Sequence, residues 1–505
     1  MKYVGSGPWG ANTATSTPSA STGRSGAAHP SDQDPTKSMG IPWRRREFNH
    51  DVDTDLVVIG GGPAGLAAAR GARRRGATVT LVSDSPLGGD CTFTGCVPSK
   101  TLLSAAHRGD SFDEAMAAVH LTVKKIAAGE SFDVVRSEGI DVLHARATFL
   151  DRSTIDVGRR TLRSRRFVVA TGAKPFIPPI LGLDASRVLT SEQLFTMSAL
   201  PRRLAILGGG PIGVEMAEAF ARLGSRVTVI EALARILPRE EPESSDVIAE
   251  HLVQLGVTIR TATSCTKVEH STNHSTLAFD DGTLLECDAL LVSVGRTPSS
   301  SGLRLEGVGV RSNARGFIEV DNRLRTSVRT IYAAGDVAQT LQFTHVADET
   351  GRIAAANALS RVPIRRFHPE WIPLVTFTSL EVARVGVCES ELSHPRARVA
   401  YLPMSEFDRA RTSGDTRGFV KIITVPGRIS SHRLGGKIVG ATVVAPRAGE
   451  MLAEIVLAMR SGMWPARLAT TTHAYPTWGL AVQQTAAQLF GEFGGRTARA
   501  ANRGE

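Results

Sequence analysis

The chain has 505 residues, a formal net charge of +10 and a hydrophobic content of 42%. One hydrophobic core does not extend over such a length, so we expect about two to four domains. No stretch reaches the ~18 uninterrupted apolar residues of a membrane span, and the five cysteines lack zinc-finger spacing. The few cysteines and the scattered basic residues exclude a secreted disulfide framework and a nucleic-acid-binding module, so we expect a cytoplasmic protein without nucleic-acid or membrane partners.

The first 50 residues are rich in Gly, Ser, Thr, Ala and Pro and have no apolar periodicity. Such a segment buries too little apolar surface to offset its ordering entropy, which predicts a disordered tail. Because the composition changes soon after Met39, we hypothesise that translation starts there.

Two strand–helix–strand units are predicted after the tail. The predicted strands and helices of these units span residues 55–59, 66–75 and 77–82, then 204–207, 214–223 and 226–230. Further strands are predicted at 277–279 and 290–294. From about Phe367 the pattern changes to strands and one apolar-faced helix, a separate α+β domain, with elements at 383–387, 418–424, 437–444 and 449–461.

A glycine fingerprint, Gly60-x-Gly62-x-x-Gly65, separates the first strand from the first helix. These glycines allow a tight turn, the approach of a pyrophosphate to the backbone, and close helix–sheet packing. We therefore predict a dinucleotide site at this turn, formed by the glycines and two residues between them: Gly60, Gly62, Pro63, Ala64 and Gly65. An acidic residue about twenty positions on should hold the ribose. The second strand ends near Ser83, so we expect Asp84 to take this role.

The second unit repeats the fingerprint as Gly208-x-Gly210-x-x-Gly213, and here Glu231 closes the second strand. A carboxylate at this position binds the ribose hydroxyls and repels a 2′-phosphate, which favours NADH over NADPH. Arg235 lies close enough in sequence to leave NADPH open.

Cys91 and Cys96 lie between the two fingerprints, five positions apart. A regular helix separates such residues by about 7.5 Å, more than the roughly 4.4–6.8 Å that a disulfide accepts between Cα atoms. A bridge therefore needs an irregular turn, for which Gly95 supplies the conformational freedom. The alternative is two free thiols that never pair.

Two dinucleotide sites with a cysteine pair between them suggest an electron route from a nicotinamide to a flavin and then to a disulfide. A non-catalytic protein that senses dinucleotides is the alternative of another class, and it would not require Cys91 and Cys96.

Several motifs of the chain resemble those of the class I pyridine nucleotide-disulfide oxidoreductases, which include dihydrolipoamide dehydrogenase, glutathione reductase and mercuric reductase. The resemblance extends from about Asp55 to Phe490. Its most specific motifs are at residues 88–100, 170–172, 293–298, 332–337 and 418–421.

The resemblance implies roles for individual residues. Cys91 would be the interchange thiol that meets the substrate, and Cys96 the thiolate beside the flavin. Lys100 would pair with Glu215 near the flavin, and Asp336 would bind the ribityl chain of FAD. A solvated helix face is the alternative reading of Glu215. The remaining cofactor contacts are expected at Gly89, Asp90, Lys100, Thr171, Gly172 and Gly295.

The chain departs from the family near its C-terminus. Dihydrolipoamide dehydrogenases have a His-Pro-Thr motif whose histidine exchanges protons with thiols, followed by a glutamate that orients it. Here Tyr475 precedes the proline and Leu480 takes the glutamate position, while His473 lies two residues earlier. A phenol with a pKa of about 10 is a poor base at neutral pH. Mercuric reductases also carry a tyrosine there, so the chain resembles that branch, although no cysteine precedes Cys91 or follows Cys388.

We therefore expect an α/β fold with two Rossmann-like domains and a C-terminal α+β dimerisation domain. The expected function is electron transfer from NAD(P)H through FAD and the Cys91–Cys96 disulfide to a small acceptor, with dihydrolipoamide dehydrogenase as the alternative. The resemblance also implies a homodimer in which Tyr475 faces the other chain's Cys91. We expect no resident metal. The expected domains are a tail (1–50), the FAD domain (51–197 and 319–364), the NAD(P) domain (198–318), the dimerisation domain (365–490) and a second tail (491–505).

Overall fold

A computed structural model describes residues 52–338, 340–392, 394–427, 432 and 434–502. The predicted disordered tail and Met39 lie outside the described residues. Within the described ranges, no helix is both long enough and apolar enough to cross a membrane.

The first strand–helix–strand unit begins a seven-stranded sheet. Its helix begins at Pro63, three residues before the predicted start, because a proline in the first turn loses no intrahelical hydrogen bond. The elements up to residue 197 are β1 (Thr54–Ile59), α1 (Pro63–Arg73), β2 (Val79–Ser83), α2 (Gly89–Phe93), α3 (Cys96–Arg108), α4 (Phe112–Ala128), α5 (Phe132–Ser137), β3 (Asp141–His144), β4 (Thr148–Phe149), β5 (Thr154–Asp156), β6 (Thr161–Val169), β7 (Ala173–Pro175) and α6 (Ser191–Leu194). Strands β3, β2, β1 and β6 are parallel neighbours in that order, and β5 and β4 extend the sheet antiparallel.

The second unit forms a four-stranded parallel sheet in the order β10-β9-β8-β14. The elements of this part are β8 (Arg203–Leu207), α7 (Pro211–Arg222), β9 (Arg226–Ile230), α8 (Pro242–Gln254), β10 (Thr258–Arg260), β11 (Cys265–His270), β12 (Ser275–Phe279), β13 (Leu284–Cys287), β14 (Ala289–Val292), β15 (Arg296–Pro298), β16 (Ile331–Ala333) and α9 (Thr344–Ala358). Strand β16 returns to the first sheet beside β6, so the second unit is an insertion in the first.

The C-terminal part contains a six-stranded antiparallel sheet in the order β17-β18-β21-β20-β19-β22. Its elements are β17 (Pro373–Thr376), β18 (Glu381–Gly386), β19 (Arg398–Pro403), α10 (Asp408–Ser413), β20 (Phe419–Val425), β21 (Lys437–Ala445), α11 (Ala448–Arg460), α12 (Pro465–Thr470), α13 (Leu480–Ala487) and β22 (Arg499–Ala500). Two parallel α/β units and one antiparallel α+β unit confirm the predicted fold class.

Candidate active site

The two central cysteines lie on consecutive short helices. Cys91 is inside α2 and Cys96 is the first residue of α3, with an irregular turn between them. A Cβ atom at Gly95 would lie 2.8 Å from the Asp90 carbonyl oxygen, so only glycine fits this turn. Both cysteines are free thiols, and their side chains are hydrogen-bonded to each other. The predicted irregular turn is confirmed, and the structure is that of the reduced pair.

The two thiols have opposite electrostatic environments. The hydrogen bond from Cys91 lowers the pKa of Cys96, and the Thr344 hydroxyl and the Lys100 charge lower it further, against desolvation by burial. The same hydrogen bond, together with burial, raises the pKa of Cys91. These pKa shifts favour the negative charge on Cys96 over Cys91. The roles of the two thiols toward substrate and flavin stay predictions.

Thr344 is a site residue that the sequence analysis did not identify. Its hydroxyl lies 3.1 Å from the Cys96 sulfur, 248 positions away in the chain. Thr344 is the first residue of α9, so the thiolate also lies at a helix N-terminus, where the free N–H groups favour a negative charge.

Lys100 and Glu215 form the predicted ion pair. The Lys100 Nζ lies 2.7 Å from Glu215 Oε2, and the second carboxylate oxygen accepts a hydrogen bond of 2.9 Å from the Phe377 backbone N–H. The ammonium also lies 4.7 Å from the centre of the Phe377 ring. Glu215 is only 4% exposed, which rules out the solvated helix face as its environment.

The first dinucleotide turn closes tightly around its glycines. Gly60 has φ +111°, and a Cβ atom on Gly65 would collide with the Gly60 carbonyl oxygen. On the opposite side, a Cβ atom on Gly89 would lie 2.8 Å from the Gly62 Cα. Helix α1 begins at Pro63 and the following alanine, next to this close contact between Gly62 and Gly89. The turn thus presents bare backbone and a helix N-terminus to a ligand, as a pyrophosphate requires.

Ser83, rather than Asp84, occupies the position that Glu231 has in the second unit. Gly60 N–H donates to the Val82 carbonyl just as Gly208 N–H donates to the Ile230 carbonyl, so the residues after these partners correspond. The Ser83 side chain is buried beneath the first turn, whereas Asp84 is exposed and lies one residue further on. The ribose role of Asp84 stays a prediction.

Arg296 joins two acidic residues that the sequence analysis had assigned to the cofactor separately. Its guanidinium forms an ion pair with Asp90 and lies 3.4 Å from Asp336 Oδ2. Burial raises the pKa of Asp336, and the Arg296 charge partly opposes this. Arg296 follows Gly295 and belongs to the motif at residues 293–298. The sequence does not indicate that its side chain lies between the two carboxylates.

Among the described residues, the buried Thr171 Oγ1 has no hydrogen-bond partner. Arg296 Nε also makes no hydrogen bond, although it is ion-paired with Asp336 Oδ2 at 3.4 Å. Gly172, the next residue after Thr171, has φ +73° with open space where a side chain would be. Unsatisfied buried polar atoms beside exposed backbone fit a polar ligand such as FAD.

The second dinucleotide turn holds its carboxylate firmly. Glu231 accepts hydrogen bonds from the backbone N–H groups of Gly209 at 2.8 Å and Leu233 at 2.9 Å. Gly208 and Gly213 pack as the first and third glycines of the first turn do, while Gly210 and Gly295 face open space. The Arg235 guanidinium is bonded within its own loop, where it donates to the carbonyls of Pro238 and Glu240 at 3.1 and 3.4 Å.

Tyr475 and His473 make their contacts within the C-terminal domain. The Tyr475 side chain is 70% exposed, and its hydroxyl donates to Asp408 at 3.2 Å. His473 has Nδ1 at 2.9 Å from the Thr471 carbonyl and Nε2 at 3.0 Å from Glu454 Oε2. In the described single chain neither residue is bonded to Cys91 or Cys96.

The other cysteines are not part of the site. Cys287 and Cys388 are buried, and Cys265 is partly buried, because it begins the exposed edge strand β11. No group of three or more His, Cys, Asp or Glu side chains in the described part of the chain is arranged to hold a metal ion.

Comparisons with known proteins agree with this architecture. Residues 54–351 match the family described as pyridine nucleotide-disulphide oxidoreductase, and residues 372–486 match the dimerisation domain of that family. A mercuric reductase of Streptomyces lividans is 36% identical over 86% of this chain and 96% of its own length. A dihydrolipoyl dehydrogenase of Geobacillus stearothermophilus is 31% identical over 87% of this chain and 97% of its own.

A solved structure has the same fold. The Cu(II) complex of the HOCl-induced flavoprotein disulfide reductase RclA from Escherichia coli superposes with a TM-score of 0.79 at 30% identity, over 86% of this chain and 99% of that one. The family consists of FAD-dependent enzymes that take electrons from NAD(P)H. The chain belongs to the pyridine nucleotide-disulphide oxidoreductase family.

Proposed function

We propose that this enzyme delivers electrons from NADH, through FAD and the Cys91–Cys96 pair, to a metal ion that binds sulfur ligands, such as Hg(II) or Cu(II). The observation that carries the proposal is the pair of free thiols, with the Thr344 hydroxyl 3.1 Å from the Cys96 sulfur. This hydroxyl and the Lys100 charge both lower the pKa of Cys96. Sulfur ligands prefer soft metal ions. The names of two similar proteins, a mercuric reductase and a reductase in complex with Cu(II), support the same class of acceptor.

The residues that would hold FAD are the first glycine turn, the buried Thr171 hydroxyl, and Asp336 with its Arg296 partner. When bound, FAD carries the hydride chemistry between the nicotinamide and the cysteine pair. Lys100, held by Glu215, places a positive charge beside the Cys96 thiolate and keeps it ionised.

The two thiols supply all the electrons that reduction of the metal ion requires, so this step needs no other reductant. Oxidation of one thiol and one thiolate to a disulfide releases two electrons and one proton. These two electrons convert Hg(II) to Hg(0), or two Cu(II) to two Cu(I). The proton leaves from Cys91, because Cys96 is already ionised.

We propose NADH as the preferred donor because of the charge at the second turn. Glu231 is fixed by two backbone N–H groups and cannot swing away from a 2′-phosphate. Arg235 is bound to two carbonyl oxygens of its own loop and leaves this carboxylate uncompensated. A fixed carboxylate favours ribose hydroxyls over a phosphate.

Dihydrolipoamide dehydrogenase activity is the second candidate, since relatives of that name are about as similar. It requires a base that takes a proton from a dithiol. Both ring nitrogens of His473 are hydrogen-bonded to oxygen atoms of its own domain, the Thr471 carbonyl and the Glu454 carboxylate, so the imidazole is engaged within the chain. The Tyr475 hydroxyl donates a hydrogen bond to Asp408. These contacts favour a metal ion over a dithiol.

We propose further that the enzyme is a homodimer with shared active sites. The chain carries the dimerisation domain of the family, and several large apolar side chains in this domain and in the segment that follows it are exposed in the single chain. Leu457, Trp464 and Tyr475 belong to the domain, and Phe490 and Phe493 follow it. Burial of such side chains is typical of a stable interface.

An acceptor screen tests the proposed function. Purified FAD-loaded enzyme is mixed with Hg(II), Cu(II), a quinone, oxidised lipoamide or glutathione disulfide, each with NADH and with NADPH. We expect the highest kcat/KM for a metal ion with NADH. Faster turnover of lipoamide would instead assign the second candidate, and binding of both cofactors without reduction of any acceptor would contradict an oxidoreductase role.

A further inference from the structure

Tyr475 and the nearby Trp478 are fastened to one neighbouring segment of the same domain. The Tyr475 hydroxyl donates to Asp408 Oδ2 at 3.2 Å. Trp478 packs against Phe407, with ring centroids 6.4 Å apart, and lies 5.8 Å from the Arg409 guanidinium. Three consecutive residues thus hold the loop that carries Tyr475, and the middle one contacts its hydroxyl.

This contact supplies a carboxylate that the loop itself lacks. The family places a glutamate at the position of Leu480, where it orients the catalytic histidine. Leu480 instead packs against the apolar core of the C-terminal domain. Asp408, the first residue of α10, brings a carboxylate to the side chain at position 475 from a different element. Arg411, one turn later, lies 3.6 Å from Asp408 and balances its charge.

The direction of the hydrogen bond determines what Tyr475 offers to an acceptor. A hydroxyl has one proton to donate and two lone pairs to accept with. Because a carboxylate can only accept, the Tyr475 proton is engaged by Asp408. The phenol oxygen then faces any other partner with its lone pairs, which suits a cation or the S–H group of a neutral thiol.

Building on the proposed function, we propose that Asp408 is a positioning residue for metal-ion reduction. Asp408 accepts the hydrogen bond of the Tyr475 hydroxyl. A lone pair of the phenol oxygen is then directed at the metal ion that is bound at the partner subunit's Cys91. Asp408 itself does not touch the acceptor.

Stopped-flow measurement of the two half-reactions tests this role in the FAD-loaded dimer. Variants Asp408→Ala, Asp408→Asn, Tyr475→Phe and the Asp408→Ala/Tyr475→Phe double variant are reduced with NADH and then mixed with Hg(II) or Cu(II). The matched control is Glu406→Gln, which removes a carboxylate of the same segment that bonds Arg496 and not Tyr475. Circular dichroism and gel filtration verify that every variant is folded and dimeric.

We expect reduction by NADH to be unchanged in all variants, because Asp408 and Tyr475 act only on the acceptor. Reoxidation by the metal ion should slow about fivefold in Asp408→Ala and in Tyr475→Phe, the rate ratio that corresponds to the loss of one hydrogen bond of about 1 kcal/mol. The amide of Asp408→Asn still accepts a hydrogen bond and should restore much of the rate. The double variant should be no slower than Tyr475→Phe alone.

Two results would overturn the proposal while leaving the proposed function intact. One is reoxidation of Asp408→Ala at the wild-type rate when Tyr475→Phe is slow. The other is a double variant slowed by the product of the two single effects, since independent contributions mean that Asp408 does not act through Tyr475. Failure of the wild-type enzyme to reduce either metal ion would overturn the proposed function, and this role of Asp408 with it.

Discussion

Replacement of Thr344 by valine tests the electrostatic account of the thiol pair. The substitution keeps the shape of the half-buried side chain and removes the hydroxyl that lies 3.1 Å from the Cys96 sulfur. The thiolate loses a donor, while the neutral thiol loses little. The pKa of Cys96 should therefore rise.

The size of this rise follows from the energy of one hydrogen bond. A hydrogen bond to a charged group contributes about 1.5–3 kcal/mol, and sulfur is a weak acceptor, so the lower end applies. One pKa unit corresponds to about 1.4 kcal/mol, which predicts a rise of about one unit. The hydrogen bond from Cys91 and the charge of Lys100 remain, so the pKa should stay below that of an ordinary thiol.

Anaerobic pH titration of the two-electron-reduced enzyme measures this shift. The long-wavelength thiolate-to-flavin absorbance reports the ionised Cys96, and its midpoint should move to higher pH in Thr344→Val. Thr101→Val is the control, because the Thr101 hydroxyl bonds the Val97 carbonyl on the same helix and not the sulfur. An unchanged midpoint in Thr344→Val, or an equal shift in the control, would refute the reasoning.

Three further predictions concern charge and backbone contacts elsewhere in the site. Glu231→Arg should shift the preference from NADH toward NADPH by at least about tenfold in the ratio of kcat/KM values, because one charge at the ribose changes sign; steady-state kinetics with both donors would show an unchanged ratio if Glu231 does not face the ribose. Lys100→Met leaves the 4% exposed Glu215 without its cation and should lower the free energy of unfolding by about 1–3 kcal/mol. This range is reduced because the lysine is partly exposed. Denaturant titration measures the loss, with Lys100→Arg as the control that keeps the charge. Ser379→Pro removes the backbone N–H that donates to the buried Glu218 at 2.9 Å and should cost about 1–3 kcal/mol; a denaturation midpoint equal to that of Ser379→Ala would contradict this, since alanine keeps the N–H.

The sequence predicts those parts of the site that are local in the chain. The glycine turns, the irregular turn at Gly95 and the position of Glu231 each follow from a few consecutive residues. The pairing of Lys100 with Glu215 spans 115 positions, and it was predicted only from the family resemblance.

The remaining contacts depend on how distant elements pack. Thr344 reaches Cys96 because α9 begins beside α3, and Arg296 joins Asp90 to Asp336 because β15 passes between them. Nothing in the residues around 408 indicates a partner 67 positions later. Spacing along the chain carries no signal for such contacts, because they arise from the tertiary arrangement of elements.

The proposed function requires that Cys91 and Cys96 pass electrons to a metal ion that binds sulfur ligands. The most direct test is anaerobic reduction with NADH followed by addition of Hg(II) or Cu(II), in the wild-type enzyme and in Cys91→Ser/Cys96→Ser. We predict that the wild-type enzyme develops the long-wavelength charge-transfer band and loses it on addition of the metal ion, while the double variant neither develops the band nor turns over the metal. A double variant that keeps the band and full metal-ion turnover would contradict the account.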